Sequence, residues 1–419
     1  MTTTLTAAPP MPGDLLTAGQ RLRLVVVLGS LIAIGPLTID MYLPSLPSIS
    51  AALGASSTAV QLTLTGTLAG LGLGQLLIGP LSDAYGRRRP LIAGLVLHVI
   101  ASVLCVMAPG IVTLGALRVL QGLGVAASSV VAMAVVRDMF SGTAFARLFS
   151  RLMLVMGAAP VLAPTLGGAV LRWTQWRGVF VVLAGFGVLL TLVAVFALQE
   201  TLPVARRHRG GAAETVRIYG QLLRDRTFVG LVFVAGLAMA ALFAYVAGSS
   251  FVLQGQYGLN EQQFALAFGA GAVGLIGATQ LNVRLLRRYA PQQILLGSLV
   301  GGTVAGTVLV TFAATGLGGL PALLASLWAV LAAGGLALPN APALAMSRHG
   351  ESAGTAAALL GAVQFGVGAV AAPMVGVLGA DAVAMGSVIL AGMVAALGIG
   401  AVVVKGGRFE AVEPVAVHV

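Results

Sequence analysis

Twelve runs of roughly twenty apolar residues, each broken by arginines, prolines or glycines, constrain this chain more than any other feature of its 419 residues. A bilayer core of about 30 Å is crossed by about 20 helical residues. Runs over 22–44, 58–80, 90–109, 112–136, 149–171, 177–198, 227–250, 262–286, 291–313, 320–346, 354–379 and 381–404 meet that length. In hydrocarbon no water is available for backbone N–H and C=O groups, so each run has to satisfy them internally, as a helix. Only 8% of the residues are charged, against about 25% in soluble domains. The expectation is an all-α membrane protein of twelve transmembrane helices.

Charge orders these spans. If the N-terminus is cytoplasmic, 20 of the 23 Lys and Arg residues, Arg209, Arg348 and Arg408 among them, fall in cytoplasmic segments; Arg172 and Arg177 fall outside and Arg118 within a span. That bias predicts cytoplasmic N- and C-termini in a cell membrane. The polar, Arg-rich stretch 199–226, with Gly210 and Gly211, divides the spans six and six. We read it as a linker between an N-terminal half, 1–198, and a C-terminal half, 227–419, ending in a short cytoplasmic tail. A basic turn recurs after the second span of each half (Arg87 to Arg89, then Arg284 to Arg288), as expected for pseudo-symmetric repeats. The second copy lacks the Asp and Gly pattern of the first. Residues 1–20 have no short apolar core or cleavage site, so no removed signal peptide is expected.

The net charge of +11 is spread as short groups, which fits topology rather than nucleic-acid binding. One cysteine, Cys105, excludes an intrachain disulfide and a Cys-based metal cluster. No embedded His cluster, paired carboxylate, Gly-x-Ser-x-Gly or Walker-type loop is present, so neither catalysis nor ATP-driven pumping has its residues. No cofactor and no metal are expected, and the chain is expected to be a monomer.

Two ionisable residues stand inside the spans. A charge at the bilayer centre costs about 2.5–3.5 kcal/mol, which makes an embedded ionisable group a functional candidate. Asp40 lies roughly 7 Å inside the outer end of the first span and Arg118 roughly 10 Å inside that of the fourth. Similar depth would let them share an aqueous cavity. Asp40 is otherwise a helix-end residue beside Pro44, and Arg118 a clamp on backbone carbonyls. Gly79 to Pro90 reads as a hinge loop, with Asp83 set to accept from an Arg or from a helix N-terminus. Gly66, Gly70 and Gly74 recur every fourth residue, and Gly269, Gly274 and Gly277 fall near one face of the eighth span, where helices approach closely. Tyr42, Gln61, Tyr245, Asn340 and Gln364 either satisfy neighbouring helices or bind a ligand; Gln61 and Gln364 occupy equivalent spans of the two halves. His98 reads as a satisfied core residue.

Several motifs carry a resemblance. Gly79, Leu81, Asp83, Gly86, Arg87 and Arg88 resemble the loop joining helices 2 and 3 of the major facilitator superfamily of secondary transporters. Leu114, Arg118, Gln121, Gly122 and Gly124 resemble its fourth-helix motif, whose Arg is associated with proton coupling. Gly157, Pro160, Pro164, Gly167 and Gly168 resemble the antiporter motif of drug:proton exchangers, with Ala163 where the usual Gly precedes the Pro. Asp40-Met-Tyr-Leu-Pro-Ser-Leu-Pro, Gly74-Gln75-Leu-Leu-Ile-Gly-Pro-Leu-Ser-Asp, Val136-Arg137-Asp138 and Ala353-Gly354-Thr355-Ala356 are similar to the bicyclomycin-resistance subfamily of multidrug exporters. The resemblance implies the major facilitator fold and export of small amphipathic drugs or antibiotics in exchange for protons. It implies Asp40 and Arg118 in proton coupling, Gly79, Asp83, Gly86, Arg87 and Arg88 in gating, and a cavity that includes Tyr42, Gln61 and Gln364. Export of an endogenous metabolite or sugar by the same fold is the alternative.

Overall fold

A computed structural model describes residues 11–207, 212–347, 349 and 352–406. Arg209, Gly210, Gly211, Arg348 and Arg408, named above, lie outside the described residues. Twelve helices are long and apolar enough to cross a membrane, and no strand is found among the described residues. We number them α1 (Ala18–Asp40), α2 (Ser57–Tyr85), α3 (Arg88–Val106), α4 (Ile111–Met139), α5 (Gly142–Leu171), α6 (Arg177–Ala197), α7 (Arg226–Ser250), α8 (Glu261–Leu285), α9 (Pro291–Thr315), α10 (Gly319–Met346), α11 (Ala353–Val377) and α12 (Ala382–Gly406).

Local chemistry sets several boundaries. Thr17 and Gln20 form a reciprocal cap on α1, the Ser56 hydroxyl accepts from the Ala59 amide at the start of α2, and Asn260 caps α8; each satisfies amides that a helix start leaves open. After Asp40 the chain tightens into a 3-10 turn, Leu43–Ser45, then a short helix, Leu46–Leu53, closed by left-handed Gly54.

Glycines bring backbones together where the four-residue spacing suggested. A Cβ at Gly66 would stand 2.7 Å from the Gly115 carbonyl and one at Gly70 2.1 Å from that of Val119, so α2 and α4 meet closely only because both positions are glycine. The group on α8 does not repeat this: a Cβ at Gly269 would meet Val161 of α5 only at an ordinary 3.6 Å, and the close approach of α8 to α10 is made instead by Gly335, whose Cβ would stand 2.4 Å from the Leu275 carbonyl. Gly274 and Gly277 do not mark a close approach: a Cβ at either meets nothing within 4 Å. The spans α1 to α6 pack mainly on one another, as do α7 to α12, and the two groups meet along α2 with α11 and α5 with α8.

The stretch read as a hinge loop is mostly helix. α2 runs on through Gly79 and Pro80 to Tyr85, and the break is confined to Gly86 and Arg87. Ser82 and Asp83 receive hydrogen bonds from Arg87, which anchors the last turn and lets the helix outlast its proline.

Candidate functional site

Arg118 is fully buried in α4 and has no carboxylate partner among the described residues. Its Nη1 donates to the Thr38 carbonyl at 3.1 Å and to Gln121 Oε1 at 2.5 Å, while its guanidinium carbon stands 4.4 Å from the centre of the Tyr42 ring and 5.8 Å from that of Phe180. A guanidinium over an aromatic face replaces part of its lost hydration. Nε and Nη2 remain buried without a hydrogen-bond acceptor.

From Arg118 a closed polar ring crosses three helices. Gln121 Nε2 donates to Ser102 Oγ at 2.7 Å, and Ser102 Oγ donates to the His98 carbonyl at 2.7 Å. Thr38 Oγ1 donates to the Ile34 carbonyl at 2.7 Å, so His98 Nε2, 3.1 Å away, supplies the proton to Thr38 Oγ1. That tautomer leaves His98 Nδ1 a bare buried acceptor. His98 is therefore only half satisfied, and it closes the circuit that holds Arg118. Its place beside Thr38 and Ser102 has no signature in a lone histidine.

Asp40 sits two residues beyond Thr38, 6% exposed, with no hydrogen bond or ion pair to another described residue. Its electrostatic neighbour is Tyr245 of α7. Asp40 and Arg118 are thus not paired. Arg118 turns inward among α1, α3 and α4, and Asp40 faces the later group of spans. Tyr42 is also turned inward: it is fully buried, its hydroxyl donating to Thr63 Oγ1 at 2.8 Å, so it packs against Arg118. Gln61 is a tether, Nε2 donating to the Ala247 carbonyl of α7 at 3.3 Å. Gln364 is half-buried in α11 and makes no hydrogen bond with the described residues.

Among the described residues, the five hydrogen bonds between the first six spans with their connections and the last six with theirs all lie toward the end that holds Asp40. Besides Gln61, Thr65 Oγ1 donates to the Ala369 carbonyl at 3.0 Å and Gln262 Nε2 to that of Gly168 at 3.1 Å. Ser250 Oγ donates to the Leu43 carbonyl at 2.7 Å and Gln254 Nε2 to that of Pro44 at 3.3 Å. Gln254 lies in a π-helical turn, Phe251–Gln256, that continues α7; such turns interrupt helices frequently at functional sites. Of the antiporter-motif residues, Gly157 and Gly168 face α8 across this seam, while Gly167 packs on the residue that follows Asp40 in its own group of spans. A Cβ at Gly167 would meet the Met41 carbonyl at 2.2 Å, one at Gly168 the Glu261 carbonyl at 3.2 Å, and one at Gly157 Ile276 at 3.5 Å. Pro160 and Pro164 lie inside α5 between these contacts.

At the opposite end Arg87 gathers a second site. Its Nε and Nη2 fork onto Asp138 at 2.8 and 3.2 Å, and Nη1 donates to Ser82 Oγ at 2.6 Å and Asp83 Oδ1 at 2.5 Å. Burial opposes its charge, but these carboxylates outweigh it and raise the Arg87 pKa. Glu200 caps α3, accepting from the amides of Arg87 at 2.8 Å and Arg88 at 3.2 Å. A Cβ at Gly86, where φ is +90°, would meet Glu200 Oε2 at 2.4 Å. Burial disfavours the Glu200 carboxylate, yet the amides of Leu202, Arg87 and Arg88 and the Arg207 guanidinium hold it below the usual carboxylate range. The Arg88 side chain donates to the Val195 carbonyl. Gly79 takes no part, with nothing within 4 Å of a Cβ there. Asp138 was visible in a motif without a role, and Glu200 as part of a polar stretch.

Twelve spans, glycine-mediated seams and a buried arginine in the fourth span agree with the family comparison: the family model for the Major Facilitator Superfamily matches residues 28–373. The chain belongs to the major facilitator superfamily. It is a multi-pass membrane transporter and not an enzyme. A Bacillus subtilis (strain 168) protein named "Uncharacterized MFS-type transporter YdgK" is 38% identical over 374 residues, 89% of this chain and 93% of that one. The Haemophilus influenzae "Bicyclomycin resistance protein homolog" is 31% identical over 360 residues, 86% and 90% of the two chains. The fold matches a bacterial homologue of the lysosomal transporter Spinster, crystallised inward-facing and occupied, with a TM-score of 0.73 at 15% identity over 93% of this chain and 98% of that one.

Proposed function

We propose that this major facilitator protein is a drug:proton antiporter that exports small amphipathic drugs or antibiotics. The observation that carries the reading is Asp40, a carboxylate buried without a hydrogen-bond donor and placed immediately before the turn that α7 grips through Ser250 and Gln254. Ionised, it strongly favours either a proton or a cationic or hydrogen-bond-donating solute beside it. A site that holds one or the other couples the two flows, and its position links occupancy to closure of that end. The name of the Haemophilus influenzae relative supports a drug as solute.

In this reading, residues 1–198 and 227–419 are two halves joined by the linker 199–226, rocking about a central site that includes Gln61 and Gln364. Arg118, held by its ring, serves coupling by keeping the fourth span in register with α1, the helix that ends at Asp40. Both termini are cytoplasmic, the protein works as a monomer in the plasma membrane, and the seam joined at the Asp40 end corresponds to closure toward the outside. A potential of 100 mV supplies about 2.3 kcal/mol per charge and one pH unit about 1.4, so one proton sustains a gradient of neutral solute of several hundred-fold.

The test is expression in a pump-deficient host with a compound panel. Lowered accumulation that an uncoupler restores is the expected result. Accumulation unchanged for every compound, or lowered equally with and without the uncoupler, overturns proton-coupled export.

A further inference from the structure

Arg87, Arg88 and Arg89 are consecutive, yet only two are committed. Arg87 is held by Asp83 and Asp138 and Arg88 by the Val195 carbonyl. Arg89 is exposed and makes no hydrogen bond or ion pair with the described residues. It stands at the rim of a groove of about 410 Å³ between α2 and α3, with Leu123 of α4 as floor. The walls are Leu77 and Leu81 on one side and Ala93 and Leu97 on the other; Arg89 is the one charged lining residue, and the exposed Tyr85 also lines the groove.

The groove exists because α2 and α3 are committed elsewhere. α2 presses its glycine face on α4 and lies along α11, where a Cβ at Gly72 would meet the Ala362 carbonyl at 3.3 Å. α3 leans on α6, where a Cβ at Gly187 would touch His98. The two helices diverge from the Gly86–Arg87 break and leave an apolar cleft between them. Its volume is that of a small-molecule site, about 300–1,000 Å³. In a membrane-spanning bundle its walls stand in the hydrocarbon and its cationic rim at the Arg-rich end, where a cation meets lipid phosphate.

We propose that this groove is a binding site for an anionic glycerophospholipid, one acyl chain lying between α2 and α3 and the phosphate received by Arg89 and the Tyr85 hydroxyl. Charge complementarity names the occupant. A zwitterionic lipid offers the same chain but a neutral head, and a drug cation would be repelled by Arg89. The occupant spans the two helices that meet at Gly86, the same break that Glu200 and Asp138 brace.

The experiment uses the full chain, delipidated in detergent and titrated with phosphatidylglycerol or phosphatidylcholine of matched chains, with bound lipid counted by native mass spectrometry. The expected result is a preference of roughly five-fold for phosphatidylglycerol, the scale of one added cation at a membrane surface. Arg89→Gln should erase the preference while leaving lipid uptake, and Ala93→Trp, which fills the cleft, should lower uptake of both. Arg288→Gln, at the exposed basic turn after α8, should change neither. Equal binding of the two lipids, a preference intact in Arg89→Gln, a loss equal in Arg288→Gln, or full displacement by inorganic phosphate would each overturn the assignment. Ala93→Leu, a milder filling, serves if Ala93→Trp does not purify as a single species. The readout is independent of transport, so it stands apart from the fate of the antiport reading.

Discussion

The Arg87 guanidinium grips the Asp138 carboxylate in a fork, 2.8 Å from Nε to Oδ2 and 3.2 Å from Nη2 to Oδ1, across 51 positions of sequence. Asp83, the acid nearest in sequence, meets the same arginine from a more exposed place, its side chain 54% accessible against 16% for Asp138. A solvated pair contributes about 1 kcal/mol or less, whereas removing one partner of a buried pair costs about 3 kcal/mol or more. Asp138→Ala is therefore expected to alter the balance of open states more than Asp83→Ala. Labelling of a cysteine introduced at Gln364 measures it; equal effects would show that Asp138 does not hold the hinge.

Glu200 makes the hinge sensitive to acid. Its folded pKa is depressed below the ordinary value of 4.5, so the stability it contributes is fully present above that value and lost as pH falls through the folded pKa. Thermal unfolding should find Glu200→Gln less stable than the parent by a constant margin from neutrality down to about pH 5. The margin should shrink only in stronger acid. A gap that already closes between pH 8 and 6 would assign the effect to another group.

Asp40→Asn keeps the volume and mimics the protonated acid. Uphill drug export should fall to background while the protein still reaches the membrane, and drug-induced proton release from purified protein should vanish. Continued concentration of drug together with proton release on drug addition would place the coupling acid elsewhere.

The clasp at the Asp40 end is open to the same reasoning. Ser250 and Gln254 each donate to a backbone carbonyl of the Leu43–Ser45 turn or its neighbour, and a typical hydrogen bond contributes about 1 kcal/mol net. Losing both in Ser250→Ala with Gln254→Ala should shift the equilibrium toward opening there by roughly thirty-fold. Ala247→Cys in that background would then react faster with an impermeant thiol reagent. No change in rate would mean that the clasp does not limit opening.

Gly70 and Gly274 give a paired test of helix approach. Gly70→Ala forces a Cβ to 2.1 Å from the Val119 carbonyl, an overpacking that costs about 1–3 kcal/mol, and should lower the melting temperature. Gly274→Ala meets open space and exchanges glycine for a better helix former, worth up to about 1 kcal/mol in a soluble helix; its melting temperature should hold or rise.

Hydropathy alone determined that this chain is all helical and crosses a membrane twelve times, because a bilayer imposes one length and one polarity on every span whatever its neighbours. The spacing of Gly66, Gly70 and Gly74 reported a close helix contact for a similar reason, since a face repeats along a helix axis. Which side chains meet was decided only by packing. The Gly79–Pro90 stretch read as a loop, yet α2 runs on to Tyr85 because Ser82 and Asp83 in its last turn bind Arg87. Asp40 and Arg118, at similar depth in their spans, turn toward different neighbours because depth along a helix says nothing of azimuth. His98 lies 60 positions from Thr38, and Glu200 lies 112 positions from the Arg88 amide it caps. Partners that distant are chosen by how α1, α3, α4 and the segment after α6 are rotated and set against one another, a three-dimensional property that no local pattern encodes.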